Sequence, residues 1–223
     1  GLVRWNHPRY GAIPPSEFIP LAEQSGLITP IGDWVLEEAC RNCVAWLRNG
    51  HRCGVSINVS AVQFERERFP SDVIAVLRDA GMDPSLLTLE ITETVLIRDI
   101  DKTRQQLAAL RRHGIRIAID DFGTGYSSLN YITSLPADIV KLDRSFVHCS
   151  RHDKPDVVEL IVDLAHRLGL KVVAEGVETE SQRNRVRGMN CDTLQGYFFG
   201  SPLSAGEVPE FLRTYEPCGF HAA

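Results

Sequence analysis

Hydrophobic positions along the chain fall into two alternating textures. Short β-branched runs at 55–59, 87–91, 115–119, 139–142 and 171–174, with a weaker one at 193–198, read as strands. Between them lie longer segments with apolar residues on one helical face, at 72–80, 100–113, 156–168 and 181–188. A long helix is also predicted over 30–49, with Val35, Leu36, Ala39, Cys43, Trp46 and Leu47 on one side. Gly50, Gly81, Gly114 and Gly169 each follow a helical pattern, where a left-handed C-terminal residue is favoured. The opening Leu2-Val3-Arg4-Trp5 reads as the tail of a strand already in progress.

Strand and helix in strict alternation predict a parallel sheet with crossover helices. A doubly wound sheet and a closed (β/α) barrel both satisfy that pattern. No G-x-G-x-x-G follows the first strand, which leaves a dinucleotide fold without support. No linker, repeat or composition shift divides the chain, so residues 1–223 are read as one domain.

Charge and composition narrow the function classes. Lys and Arg number 24 against 29 Asp and Glu, a net charge of −5 that argues against a DNA-coating surface. Apolar runs are too short for a membrane span and no secretory signal opens the chain, so a soluble, cytoplasmic domain without direct membrane contact is expected. The 6 cysteines are too sparse for a disulfide scaffold. Cys40 and Cys43 are read as small core or surface residues, and His148 and His152 as solvated loop residues.

The informative chemistry lies at the strand ends. Asn58, Glu90, Asp120-Asp121, Lys141 with Asp143, Glu175 and Gln195 close or follow successive strands. Parallel strands deliver such side chains to one face, where barrel enzymes place their chemistry. Capping alone accounts poorly for them, because caps favour Ser, Thr, Asp and Asn over Glu and Lys. Converging Glu90, Asp120, Asp121 and Glu175 need more positive charge than Lys141 supplies. An all-oxygen donor set then suggests hard cations, Mg²⁺ or Mn²⁺, with one aspartate able to bridge two ions. Two metals suit in-line displacement at a phosphodiester, although metal-dependent lyases or aldolases would show similar carboxylates. The run Asp121-Phe122-Gly123-Thr124-Gly125-Tyr126-Ser127-Ser128-Leu129 reads as a loop at the active face, either a plain turn or a mobile element controlling the metal site.

These motifs together resemble the EAL domain family. Asn58-Val59-Ser60, Glu90-Ile91-Thr92-Glu93, 120–129, Lys141-Leu142-Asp143, Ala174-Glu175-Gly176-Val177-Glu178 and Gln195-Gly196-Tyr197 match its successive motifs. Arg4-Trp5-Asn6-His7-Pro8 and Phe18-Ile19-Pro20-Leu21-Ala22-Glu23 match its opening segment, so the resemblance spans essentially the whole chain. It implies a modified (β/α)8 TIM-type barrel and metal-dependent hydrolysis of cyclic di-GMP to linear pGpG. It further implies metal contacts from Asn58, Glu90, Asp120, Asp121 and Glu175 to Mg²⁺ or Mn²⁺, two ions in all. Lys141 would hold the attacking water and phosphate, and Glu175 is also the family's general base. Arg4 and Gln195 would bind the substrate. Glu93 would anchor the loop after Asp121, while Asp143 and Glu178 would support Lys141 and the loop.

Leu2 matches the third residue of the Glu-Ala-Leu triplet that names the family, and Gly1 the second. The triplet's glutamate and the upstream strand therefore fall before Gly1, and a longer parent chain is expected. The resemblance also raises the expectation of a homodimer and of an upstream GGDEF or sensory domain, through which the parent could be membrane-tethered. A degenerate receptor that binds cyclic di-GMP without cleaving it, and a barrel acting only as a protein-interaction module, are the competing readings.

Overall fold

The computed structural model describes residues 1–93, 95, 99–123, 135–148 and 155–215, with side chains omitted at 155 and 156. Six strands form one all-parallel sheet in sequential order: β3 (Val55–Val59), β4 (Leu87–Thr92), β5 (Arg116–Phe122), β6 (Ile139–Leu142), β7 (Lys171–Ala174) and β8 (Thr193–Leu194). Ahead of them, β1 (Trp5–His7) and β2 (Gly11–Ile13) pair antiparallel in a separate hairpin. The helices are α1 (Pro15–Ser25), α2 (Ile28–Arg48), α3 (Ala61–Phe64), α4 (Phe69–Ala80), α5 (Ile100–Arg112), α6 (Arg144–His148), α7 (Pro155–Arg167), α8 (Glu180–Gly188) and α9 (Val208–Thr214). The sheet curls into an open TIM-type barrel wall, with β3 and β8 as its edges.

The core lies between the outer face of this wall and the helices. Leu87, Leu89 and Ile91 of β4 and Ile117 and Ile119 of β5 are fully buried there, against Val73 and Leu77 of α4 and Leu107 and Leu110 of α5. Each such side chain contributes about 1.5–3 kcal/mol by leaving water. The helical stripes place Leu36, Cys40 and Cys43 of α2 on the same core, and both cysteines are unpaired, as a core reading requires.

Two aspartates pin the sheet at its N-terminal rim. Asp138 accepts from the Ile117 amide and from the Arg111 guanidinium, while Asp192 accepts from the Val172 amide and pairs with His166 at 2.8 Å. Each clamps the start of one strand to its predecessor and so fixes register, on which the face of every side chain depends.

Several boundaries differ from the sequence pattern. Residues 2–4 are not strand, and the extended residues that follow turn back as the β1–β2 hairpin. The α1 helix has no counterpart in the pattern, because prolines at 15 and 20 disguise it. Pro15 occupies its first position, where no amide hydrogen is needed. The last strand shrinks to Thr193–Leu194. Gln195 and Phe198 leave the ladder to bond Ala174 and Val177, and a Cβ at Gly196 would lie 2.2 Å from the Val177 carbonyl oxygen. Among the described residues no helix is long and apolar enough to cross a membrane.

Candidate active site

Strand register determines which side chains face the concave side. Asn58 pairs with Glu90, Glu90 with Ala118, Ala118 with Ile139, Lys141 with Val173, and Val173 with Thr193. Residues paired in a parallel ladder share a face, and so do residues two apart. Asn58, Glu90, Thr92, Asp120, Lys141, Glu175 and Gln195 therefore belong to one set, and the buried aliphatics point to the other.

Three carboxylates meet on one ammonium. Lys141 Nζ donates to Glu90 Oε2 at 2.9 Å, to Asp120 Oδ1 at 2.9 Å and to Glu175 Oε1 at 2.8 Å. Lys141 is 5% exposed. Burial pulls its pKa down, but the charges of Glu90, Asp120 and Glu175 outweigh burial and hold it above the ordinary lysine value. Glu175 moves up: burial is the main cause, Lys141 opposes it, and Asp120 and Glu90 add to it. Three anions on one cation leave the cluster net negative.

Asp121 reaches this region through a local irregularity. The β5–β6 register shifts between Ile119 and Phe122, and Asp121 adopts φ 53°, a left-handed conformation rare outside glycine. A regular strand would send adjacent aspartates to opposite faces. The bulge keeps Asp121 close to its neighbour, whose Oδ1 accepts the Asp121 amide at 3.0 Å. Burial raises the Asp121 pKa, and the charges of Asp120 and Asp143 raise it further.

The loops are built by capping. Ser60 forms a capping box with Gln63 and starts α3 directly after Asn58-Val59. Thr179 does the same with Gln182 at α8, and Gln182 Oε1 also accepts from the Glu178 amide at 2.8 Å. Gly176, at φ 73°, turns the chain immediately after Glu175, where a Cβ would lie 2.5 Å from Arg144 Cβ.

The remaining sequence-predicted residues lie around this centre. Asp143 accepts from the Ser145 amide at 2.9 Å; burial alone would raise its pKa, but its bonds to Ser145 and the backbone bring it below the ordinary value. Glu178 Oε1 lies 3.9 Å from His148 Nε2. Arg4 and Asn58 line a largely apolar cavity of about 370 Å³ with Pro15, Ile19, Glu23 and Thr92. Glu93 directly follows β4, but residues 124–129, which it would anchor, lie outside the described ones, as does His152. His148 is exposed, as expected from sequence, but it is helical rather than in a loop. It ends α6, and its Nε2 lies 2.8 Å from the Gly176 carbonyl oxygen. Sequence offers little signal for that contact beyond the apolar Phe146-Val147 that seats the helix.

Among the described residues no three His, Cys, Asp or Glu side chains are grouped as metal ligands. The carboxylates instead converge on the Lys141 nitrogen. By chemistry the donor set still fits a hard divalent cation: every nearby acceptor is oxygen, and the negative charge exceeds what Lys141 neutralises.

The family model described as EAL domain matches residues 1–202. The chain belongs to the EAL domain family. MucR of Pseudomonas aeruginosa, a bifunctional diguanylate cyclase/cyclic di-GMP phosphodiesterase, is 45% identical over 210 residues, 93% of this chain and 31% of the relative. The cyclic di-GMP phosphodiesterase NbdA of the same organism is 44% identical over 218 residues, 96% of this chain and 28% of the relative. This EAL domain thus spans less than a third of those curated relatives. A solved structure of the MucR phosphodiesterase in complex with cyclic di-GMP superposes with a TM-score of 0.88 at 45% identity, covering 93% of this chain and 85% of that one. EAL phosphodiesterases generally depend on divalent metal ions.

Proposed function

We propose that this EAL domain is a metal-dependent phosphodiesterase that opens cyclic di-GMP to linear pGpG and so lowers cyclic di-GMP signalling. The observation carrying the reading is the convergence of Glu90, Asp120 and Glu175 on Lys141, an excess of buried negative charge at the C-terminal rim of a barrel. Family membership and relatives named as cyclic di-GMP phosphodiesterases support the choice of substrate.

Asn58, Glu90, Asp120, Asp121 and Glu175 would hold Mg²⁺ or Mn²⁺, two ions on this assignment. When bound, such ions supply an activated water and charge neutralisation at the leaving oxygen. Lys141, whose three N–H groups meet Glu90, Asp120 and Glu175 in the metal-free site, would turn donors toward the water and the scissile phosphate once metal ions draw those carboxylates away. Glu175, just past the C-terminal end of β7 and 2.8 Å from Lys141, would accept the proton of the attacking water. Arg4 offers a planar guanidinium to a substrate phosphate, and Gln195 hydrogen-bonds the ligand from just past the end of the edge strand. Glu93, Asp143 and Glu178 support the surrounding loops. The names of the relatives, and the share of each that this chain spans, support a longer signalling protein with a diguanylate-cyclase domain.

The test is incubation of the full-length protein with cyclic di-GMP and Mg²⁺ or Mn²⁺, with products separated against a chelator control. Linear pGpG appearing only with metal supports the reading. Tight binding of cyclic di-GMP without product would replace it with a receptor.

A further inference from the structure

We propose that His148 is a positioning residue for Glu175: by donating its Nε2–H to the Gly176 carbonyl, it braces the loop carrying Glu175 against α6, the helix that follows the Lys141 strand. The inference rests on the phosphodiesterase reading for its link to turnover, but the brace has an observable of its own.

The geometry is specific. Glu175 follows β7, and its amide bonds the Leu142 carbonyl at 3.2 Å. Beyond it the chain bends at Gly176, whose carbonyl receives no main-chain hydrogen bond among the described residues. His148 Nε2 lies 2.8 Å from that oxygen. A carbonyl can only accept, so the ring nitrogen must be the donor. Glu178 Oε1 lies 3.9 Å from the same nitrogen, beyond hydrogen-bond reach, so the Gly176 carbonyl is the partner of this N–H.

The support beneath His148 is itself fixed. Arg185 of α8 donates to the carbonyls of Phe146 and Val147, satisfying the last turn of α6. Phe146 packs so close to Gly123 that a Cβ there would lie 2.6 Å from its ring. The α6 helix therefore touches the chain after Asp121 on one side and the chain after Glu175 on the other. It begins two residues beyond Lys141-Leu142. His148 is the polar link from this hub to Gly176, and the 2.8 Å Lys141–Glu175 contact lies between β6, which leads into the hub, and the loop so joined to it. Loss of the link loosens the turn at Gly176 beside Glu175, while the bonds of Val177 to Gln195 and Phe198 hold the far side of the loop and leave Arg4 and Gln195 in place to bind substrate.

Two variants of the full-length protein separate hydrogen bonding from packing. His148→Phe keeps a ring but has no donor, and His148→Gln keeps an N–H of similar reach. We expect His148→Phe to lower kcat about tenfold with KM within about twofold, as misplacement of a reacting group does, and His148→Gln to restore most of kcat. Hydrogen exchange of peptides covering 175–178 should accelerate in His148→Phe and return toward wild type in His148→Gln. Unchanged exchange in His148→Phe, or equal defects in both variants, would overturn the brace. A matched rise in KM would overturn its role in positioning. If the wild-type protein fails to hydrolyse cyclic di-GMP, the functional reading falls, while exchange still decides the brace.

Discussion

Lys141 Nζ and Glu175 Oε1 are 2.8 Å apart, joining the ends of β6 and β7 across the concave face. The same ammonium also holds Glu90 and Asp120. Lys141 thus has a structural role beside its proposed chemical one, for it neutralises part of a charge cluster that repels itself.

Replacing Lys141 with Met should abolish turnover and destabilise the metal-free protein by about 3–5 kcal/mol, as when one partner of a buried ion pair is removed. Added Mg²⁺ or Mn²⁺ should then raise the melting temperature of Lys141→Met by more than it raises wild type, because the ion replaces the missing positive charge. Thermal melts with and without metal measure both effects. An equal metal-induced shift in the two proteins contradicts a shared carboxylate site.

Asp121 pairs strain with chemistry. Its φ of 53° is one that glycine adopts at no steric cost. Asp121→Gly should therefore gain about 1 kcal/mol from relief of the left-handed backbone while losing turnover. Asp121→Asn should lose turnover without that gain. Paired melting curves and activity assays check this, and full turnover in Asp121→Asn would sink the two-metal assignment.

Much of this arrangement is legible in sequence for a simple reason. The side chains of Asn58, Glu90, Lys141 and Glu175 sit where local strand patterning meets a polar residue, and parallel topology then gathers them. The conformation of Asp121 is not legible, because a bulge is a property of two strands and no local pattern marks it. The α1 helix is hidden by prolines that its first turn and exposed side tolerate. The contact of His148 with Gly176 depends on the packing of α6 between two loops distant in sequence. Gln195 lies just past the end of β8 rather than within a longer strand: its own amide and carbonyl bond Ala174 and Val177, and the chain then turns at Gly196 so that Phe198 also bonds Val177.

The Asp192 clamp carries a pH signature. Burial alone would raise its pKa, but the Val172 amide, His166 and Lys171 together hold it below the model-peptide value of 3.8. A depressed carboxylate contributes stability that is fully present above the unfolded value and is lost as pH falls through the folded one. Asp192→Asn should cost about 1 kcal/mol at neutral pH, the scale of a hydrogen bond. The gap between variant and wild type should begin to close as pH falls below about 3.8, the ordinary aspartate value, and vanish below the lower pKa of the folded state. Denaturant melts at neutral and acid pH read this directly, and a gap that persists at low pH would mean that the charge is not what the clamp uses.

Gly176 offers the sharpest separation between fold and chemistry. An alanine there faces φ 73°, and its Cβ would lie 2.5 Å from Arg144 Cβ and 3.4 Å from His148 Nε2. The β7 strand ends before this point, and Val172 and Ala174 keep their core contacts whatever happens beyond it. Gly176→Ala should cost at least about 1 kcal/mol from the incompatible backbone. The chain should remain folded, with relief coming from movement of the Glu175 loop and α6 rather than of the sheet. Because Glu175 moves with that loop, kcat should fall by about 100-fold, a loss far larger than the stability change explains. Circular dichroism, a melting curve and steady-state kinetics on the same preparation decide it. A variant that melts lower yet turns over at the wild-type rate would show that the turn at Gly176 does not determine where Glu175 sits.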